Sequence, residues 1–394
     1  MNYTKEKLEC TGCGACKQIC PKNAIDMVEN QEGFLYPQKN SKCIECGLCE
    51  KVCPKVDKFN NEKFEQEVYA AVNKNNEIVQ NSSSGGAFSA ICKNFCNENY
   101  IIFGAQYDKD FNVGHGYIDN IDDIEIFRKS KYVQSNIGDS YKKAKKFLEE
   151  GKKVVFSGTP CQIAGLKSFL KNNQYENLLC VDIICHGVPS PKVWRKYLEY
   201  IETKYNSKIA NINFREKTNN QNKWNSKNIK IVLENGKEII ENQNENLYLK
   251  GFTKELFFRP SCKVCKFANP ERTSDVTLGD CWGIENVDSN LNVHKGVSII
   301  IANTSKGKKV LKNASSDLTL KKLDIQFAIR ENAQFREPTK LHKKRNKFFR
   351  NIDRLSFEQN IKKCIGREYL LKIKRLIPTK LKRHIKKYLR PNNY

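Results

Sequence analysis

The chain reads as an α/β protein with a small α+β module in front and a basic helical tail behind. Three observations set that reading. Eight cysteines fall in two equal runs near the N-terminus. From Val68 onward short apolar strands alternate with amphipathic helices. The C-terminal stretch is rich in lysine.

The front module is defined by its cysteines. Cys10, Cys13, Cys16 and Cys20 precede Pro21, and Cys43, Cys46, Cys49 and Cys53 precede Pro54. Each run is C-x2-C-x2-C-x3-C-P, the bacterial ferredoxin spacing for a 4Fe-4S cluster, in which the fourth cysteine serves the other cluster. Cys10, Cys13, Cys16 and Cys53 are therefore expected on one cluster, and Cys43, Cys46, Cys49 and Cys20 on its partner. Gly12, Gly14 and Gly47 let the backbone approach sulfide closely. A zinc ribbon would use two pairs of ligands instead of this closed series. Residues 1–57 are expected to form this ferredoxin-like domain, and the charged stretch 57–67 a linker.

The body follows as alternating elements. Strands are expected at Val68–Val72, Ile101–Tyr107 and Gly114–Ile118, with helices at Ser84–Asn97, capped by serine, and Gly138–Glu150. Lys153–Ser157, Pro160–Asn172 and Leu178–Cys185 read as strand, helix and strand, a crossover that makes the two strands parallel neighbours. Pro191–Lys204 reads as a helix. Strands near Ile212 and Lys230–Leu233 precede an Asn235-Gly236 hairpin turn. Val276–Gly279 and Val297–Ala302 complete the strands, with a helix from Ser305.

A third set of cysteines is implied by this topology. Cys161 follows the first crossover strand and Cys185 ends the second, so both lie at the carboxyl edge where such sheets bind ligands. Cys262 and Cys265 add a two-residue-spaced pair. A third cluster, structural zinc and separate buried thiols all fit the spacing. Cys92, Cys96, Cys180 and Cys364 read as small buried hydrophobes. His186, beside Cys185, reads as a hydrogen-bond donor to sulfide, with proton relay as the second reading.

Three segments could cradle an anionic cofactor. Ser83, Ser84, Gly85 and Gly86 open a helix, where free N–H groups favour a pyrophosphate. Gly158, Thr159 and Pro160 form a second strand-to-helix loop. Ser130, Lys131, Tyr132, Gln134 and Ser135 supply a cation, an aromatic face and hydrogen-bonding groups. Neither G-x-G-x-x-G nor a P-loop is present, which argues against nucleotide hydrolysis.

Composition bounds the setting. No apolar run approaches a membrane span. Seventeen cysteines, with a charged start leading straight into the first cluster loop, argue for metal ligation in a reducing cytoplasm. Of the net charge of +25, residues 340–394 carry +16, with 19 Lys and Arg against 3 acidic residues. Residues 336–394 are expected to form a basic helical tail. Around 380–390 the apolar residues Leu381, Ile385, Tyr388 and Leu389 share a helical face, so peripheral contact with an anionic membrane at its inner face is one expectation and a solvated basic helix the other. No nucleic-acid recognition module accompanies the charge.

The chain resembles the beta subunits of coenzyme F420 hydrogenases and dehydrogenases and their bacterial relatives. The resemblance rests on Ser83-Ser84-Gly85-Gly86, Ser130-Lys131-Tyr132-Val133, Pro160-Cys161-Gln162-Ile163-Ala164-Gly165-Leu166 and Cys185-His186-Gly187-Val188-Pro189-Ser190. Ser261-Cys262-x2-Cys265 and Leu278-Gly279-Asp280-Cys281-Trp282-Gly283 complete it. It implies an FAD held by the body over residues 68–335, in parts 68–150 and 151–335, and a third 4Fe-4S cluster at Cys161, Cys185, Cys262 and Cys265. It also implies an oxidoreductase that passes electrons between a ferredoxin-type or deazaflavin donor, FAD and clusters. Bacterial relatives often occur with surface-polysaccharide enzymes. The alternative is a non-catalytic beta-type subunit feeding a separate catalytic partner. Cys281 stands where the family usually has an aromatic residue, and reads as a packing substitution.

Overall fold

A computed structural model describes residues 8–55, 65–217, 227–288 and 295–366. In the front module, β1 (Ile25–Glu29) and β2 (Leu35–Lys39) pair as an antiparallel hairpin between two cysteine loops. Each loop turns into a short helix, Ala15–Ile19 or Leu48–Lys51, through a glycine in the left-handed region. Gly14 has φ 73° and Gly47 φ 71°, a conformation costly for residues with a Cβ.

The body is built on an eight-stranded mixed sheet. Its strands are β3 (Glu67–Asn73), β4 (Tyr100–Tyr107), β5 (Val113–Ile118), β6 (Lys153–Gly158), β7 (Leu178–Ile183), β11 (Val276–Asp280), β12 (Ser298–Ala302) and β13 (Leu318–Leu323). Their spatial order is β13-β3-β12-β11-β7-β6-β4-β5. β4, β6, β7 and β11 run parallel, and the outer pairings are antiparallel. The expected crossover is present: β6 and β7 are joined through the helix Pro160–Phe169, with Val154 opposite Leu178 and Gly158 opposite Asp182. Both faces of β6 and β7 are covered, which is why their sequences are continuous apolar runs instead of alternating ones.

A smaller antiparallel sheet, β8 (Ile209–Phe214), β9 (Ile229–Leu233) and β10 (Glu238–Glu241), carries the expected turn, with Gly236 at φ 81°. It shares a core with the helix Pro191–Tyr205, where Trp194, Tyr197 and Tyr248 are fully buried and mutually packed.

Two expectations change. The helix expected at Ser84–Asn97 is Ala87–Phe95, capped by Gly86 at φ 77°, because the preceding serines form a loop against β12 instead of a first helical turn. The described part of the expected basic tail, residues 336–366, packs on the body. Helices Arg345–Arg350 and Phe357–Ile361 bury Phe348, Phe349, Phe357 and Ile361 in the core around Trp194. The lysines and arginines of this stretch mask an apolar face that belongs to the body. The 380–390 helix, and most of the 57–67 linker, lie outside the described residues. Among the described residues no helix is long and apolar enough to cross a membrane.

The front module is fastened to the body at its hairpin tip. Ser190 Oγ donates to Glu32 O at 2.5 Å, and the Arg345 guanidinium meets the Glu32 carboxylate at 2.9 and 2.5 Å. The tip thereby locks to the C-terminal helices as well as to the helix that starts at Pro191.

Candidate functional site

The four cysteines of the expected third set converge. Cys161, Cys185, Cys262 and Cys265 all line one small cavity of about 40 Å³, at the carboxyl edge of β6 and β7. Cys161 opens the helix after β6, capped by Thr159. Cys185 follows β7, and the 3₁₀ turn Pro260–Val264 brings Cys262, with Cys265 next in sequence. Burial lifts the Cys161 thiol to about 11, with the neighbouring Cys265 adding to it. Burial likewise lifts Cys262 to about 12, the Val188 amide opposing. Thiols so placed become thiolates when a metal takes them. Backbone N–H groups already point at the sulfurs: Gly187 N to Cys185 Sγ and Val188 N to Cys262 Sγ, each at 3.4 Å.

The front cysteines arrange as two unequal sites. Burial lifts the Cys16 thiol to about 12, and the thiols of Cys10 and Cys53 push the same way. Cys53, from the second run, thus lies among the sulfurs of the first. Cys13 is buried and faces the body, where a Cβ on Gly165 would sit 3.0 Å from its Sγ. Cys46 is exposed. The Ala24 amide donates to Cys20 Sγ at 3.2 Å. Among the described residues no three His, Cys, Asp or Glu side chains converge closely enough for a single metal ion.

A cleft of about 490 Å³ adjoins the third cysteine set, within the usual size of cofactor sites. Cys185, His186, Gly187 and Val188 line both spaces. Of the expected cofactor residues, Ser83, Ser84, Gly86, Ser130, Lys131, Tyr132, Ser135, Gly158 and Thr159 line the cleft. Three do not. Gly85 is wedged against the sheet, where a Cβ would lie 2.3 Å from Ala71 O. Pro160 lines the cysteine cavity. Gln134 faces the first cluster loop and donates to Thr11 O at 2.9 Å.

The cleft is cationic. Its lining holds Arg128, Lys129, Lys131, Arg215 and Lys227 against one acid, Asp280. Arg215 pairs with Asp280 at 3.1 Å, and Lys129 with Glu216 at 2.6 Å. Lys131 Nζ donates to Arg128 O at 3.0 Å and has no carboxylate partner among the described residues, and burial pulls its pKa down to about 7. The serine loop is held by Ser83 and Ser130, whose hydroxyls meet at 3.0 Å, and by Lys217, which donates to Ser84 O at 2.8 Å.

Sequence reading missed a network that runs from the cleft to the cysteine cavity. His115 Nε2 meets Ser157 O at 3.0 Å and must carry the proton, so Nδ1 accepts from Ser135 Oγ at 2.9 Å. Ser135 Oγ accepts from Gln162 Nε2 at 2.9 Å. Gln162 Oε1 accepts from Thr159, whose Oγ1 is 3.2 Å from Cys161 Sγ. Burial depresses His115 to about 4, so the ring is neutral. His186 Nε2 meets Glu255 Oε1 at 2.9 Å. A lone histidine on an edge strand gives no sequence signal for such a role. Cys281 packs in the core under β12, and Cys92, Cys96, Cys180 and Cys364 are buried as expected.

Residues 9–56 match the 4Fe-4S dicluster domain, which makes this an electron-transfer iron–sulfur protein. Residues 151–326 match the family described as the C terminus of the coenzyme F420 hydrogenase/dehydrogenase beta subunit. Among solved structures, a chain of the F420-reducing [NiFe] hydrogenase complex from Methanosarcina barkeri, studied as a xenon derivative, is similar. It has 18% identity over 68% of this chain and 88% of its own, with a TM-score of 0.45. No curated protein matches.

Proposed function

We propose that the protein is an iron–sulfur flavoprotein oxidoreductase, with FAD in the cationic cleft, a third 4Fe-4S cluster on Cys161, Cys185, Cys262 and Cys265, and two clusters in the front module. The observation that carries this reading is the shared wall: Cys185 to Val188 borders both the four-cysteine cavity and the cleft. FAD would supply two-electron acceptance and one-electron release, which clusters can carry onward. Ser83, Lys131 and Arg215 would hold its diphosphate, since a buried lysine with no acid beside it leaves a place for an anion. The neutral His115 network would fix Thr159 and Gln162 at the cleft's edge and keep a hydroxyl against Cys161.

Cys13 against the helix of Cys161 favours the order cleft, third cluster, first front cluster, second front cluster. A ferredoxin-type carrier would then exchange electrons at the exposed Cys46 end. The same order serves the second reading, a beta-type subunit whose partner docks at that end. Anaerobic purification with iron and flavin assays tests the proposal. It predicts about twelve irons and one FAD per chain, and eight irons without flavin would overturn it.

A further inference from the structure

Arg259 is among the largest fully buried side chains, at 0% exposure, and no carboxylate faces it among the described residues. Its Nε donates to Cys10 O at 2.7 Å and Nη1 to Gln134 Oε1 at 3.0 Å. Its Nη2 donates to Leu35 O at 2.9 Å and lies 3.8 Å from Cys10 Sγ. The guanidinium stacks on Tyr36 at 4.3 Å and Phe34 at 5.3 Å, both from the front module. Its backbone belongs to the other side: Arg259 N donates to Val188 O, and Arg259 O accepts from Cys262 N at 3.1 Å. One residue therefore holds the first cluster loop by its side chain and the Cys262 loop by its main chain.

A buried cation without an acid is costly unless an anion completes it. The hydrogen bonds to neutral carbonyls satisfy its donors, not its charge. A cysteine ligand of the first front cluster lies within reach of the charge, Cys10 Sγ at 3.8 Å from Nη2. The main chain of Arg259 also fixes the Cys262 loop, so its charge stands beside the third cysteine set as well. A cluster gains an electron more readily beside a fixed cation, and more so in a dry surrounding.

We propose that Arg259 is a positioning and potential-setting residue, the shared countercharge that draws the first front cluster and the third cluster into one circuit and raises both reduction potentials. This rests on the cluster assignment above. The effect is larger at the first front cluster, because the guanidinium is in contact with Cys10. Gly12 is fitted to it, since a Cβ there would lie 2.8 Å from Arg259 Nη1.

The test is an EPR-monitored redox titration of the anaerobically purified full chain. Wild-type iron content checks the cluster assignment by itself, so its failure is distinguishable from failure of the Arg259 proposal. Arg259→Met keeps the bulk and removes the charge. At wild-type iron content, both potentials should move to more negative values, the first front cluster further, and the exposed second front cluster least. Arg259→Lys should restore most of the shift, which a purely steric role would not do. Gln134→Glu leaves Arg259 in place and cancels its charge with a carboxylate, and should also move the potential negative. It decides the matter if Arg259→Met does not fold. Iron-replete variants with unmoved potentials, or with equal shifts at all three clusters, would overturn the proposal.

Discussion

The two cysteine runs of the front module have the same spacing and opposite surroundings. The helix within the first run buries Ala15 and Gln18, and its loop is pressed between Arg259 and the helix of Gly165. The helix within the second run buries none of its residues, and a Cβ added at Gly47 would meet nothing within 4 Å. Identical ligand chemistry is thus given one dry, clamped site and one wet, open site. The difference teaches that spacing specifies the ligands of a cluster, while packing decides which of the two sites is enclosed by the body and which is left open to solvent.

The largest expected contrast comes from the ligands themselves. Cys13→Ser should remove about four irons and also unseat the module, destabilising the protein by several kcal/mol. Cys46→Ser should cost about four irons with little change in melting. Iron assays and thermal melts of both variants check this, and equal melts would break the contrast. Limited exposure to air should next strip the open site first. EPR would then show its signal lost while that of the clamped site persists, and simultaneous loss would count against the contrast.

How burial acts further inside is measurable at His115. Its pKa falls from 6.5 to about 4, so the unfolded chain binds the extra proton between those values. The neutral ring's contribution is complete above pH 6.5 and is lost as pH falls through 4, on the order of 3 kcal/mol. His115→Gln should flatten the stability–pH curve in that window, as read by denaturant unfolding. An unchanged slope would show the ring to be solvated.

The smallest effects separate contact from conformation. Gly165→Ala, with Cys13 and the Tyr141 hydroxyl within 3.0 Å of the new Cβ, should cost about 1–3 kcal/mol. Gly47→Ala meets no neighbour and should cost only the left-handed conformation, about 1 kcal/mol. Denaturant midpoints compare them.

The same division decides what the sequence revealed. The front clusters were legible because their ligands are local, and Cys161 and Cys185 because a parallel crossover puts both strand ends together. The serine–glycine loop was legible as a candidate cofactor segment, and it does line the cleft, but its glycine at position 85 packs against β3, which only the sheet order determines. Arg259, His115 and Lys217 were not legible. Each acts through contacts with segments far away in sequence, and no spacing marks them. The stretch 345–366 misled because its charged residues outnumber the buried phenylalanines that decide its place.

The account's central claim is continuity from the open end of the front module to the cleft. Its most direct measurement is anaerobic flavin reduction by a photoreduced one-electron ferredoxin, in the wild-type chain and in Cys161→Ser/Cys262→Ser. The account predicts rapid flavin bleaching in the wild type, and loss of that bleaching in the double variant despite retained FAD and about eight irons. Equally fast flavin reduction in the double variant would contradict it.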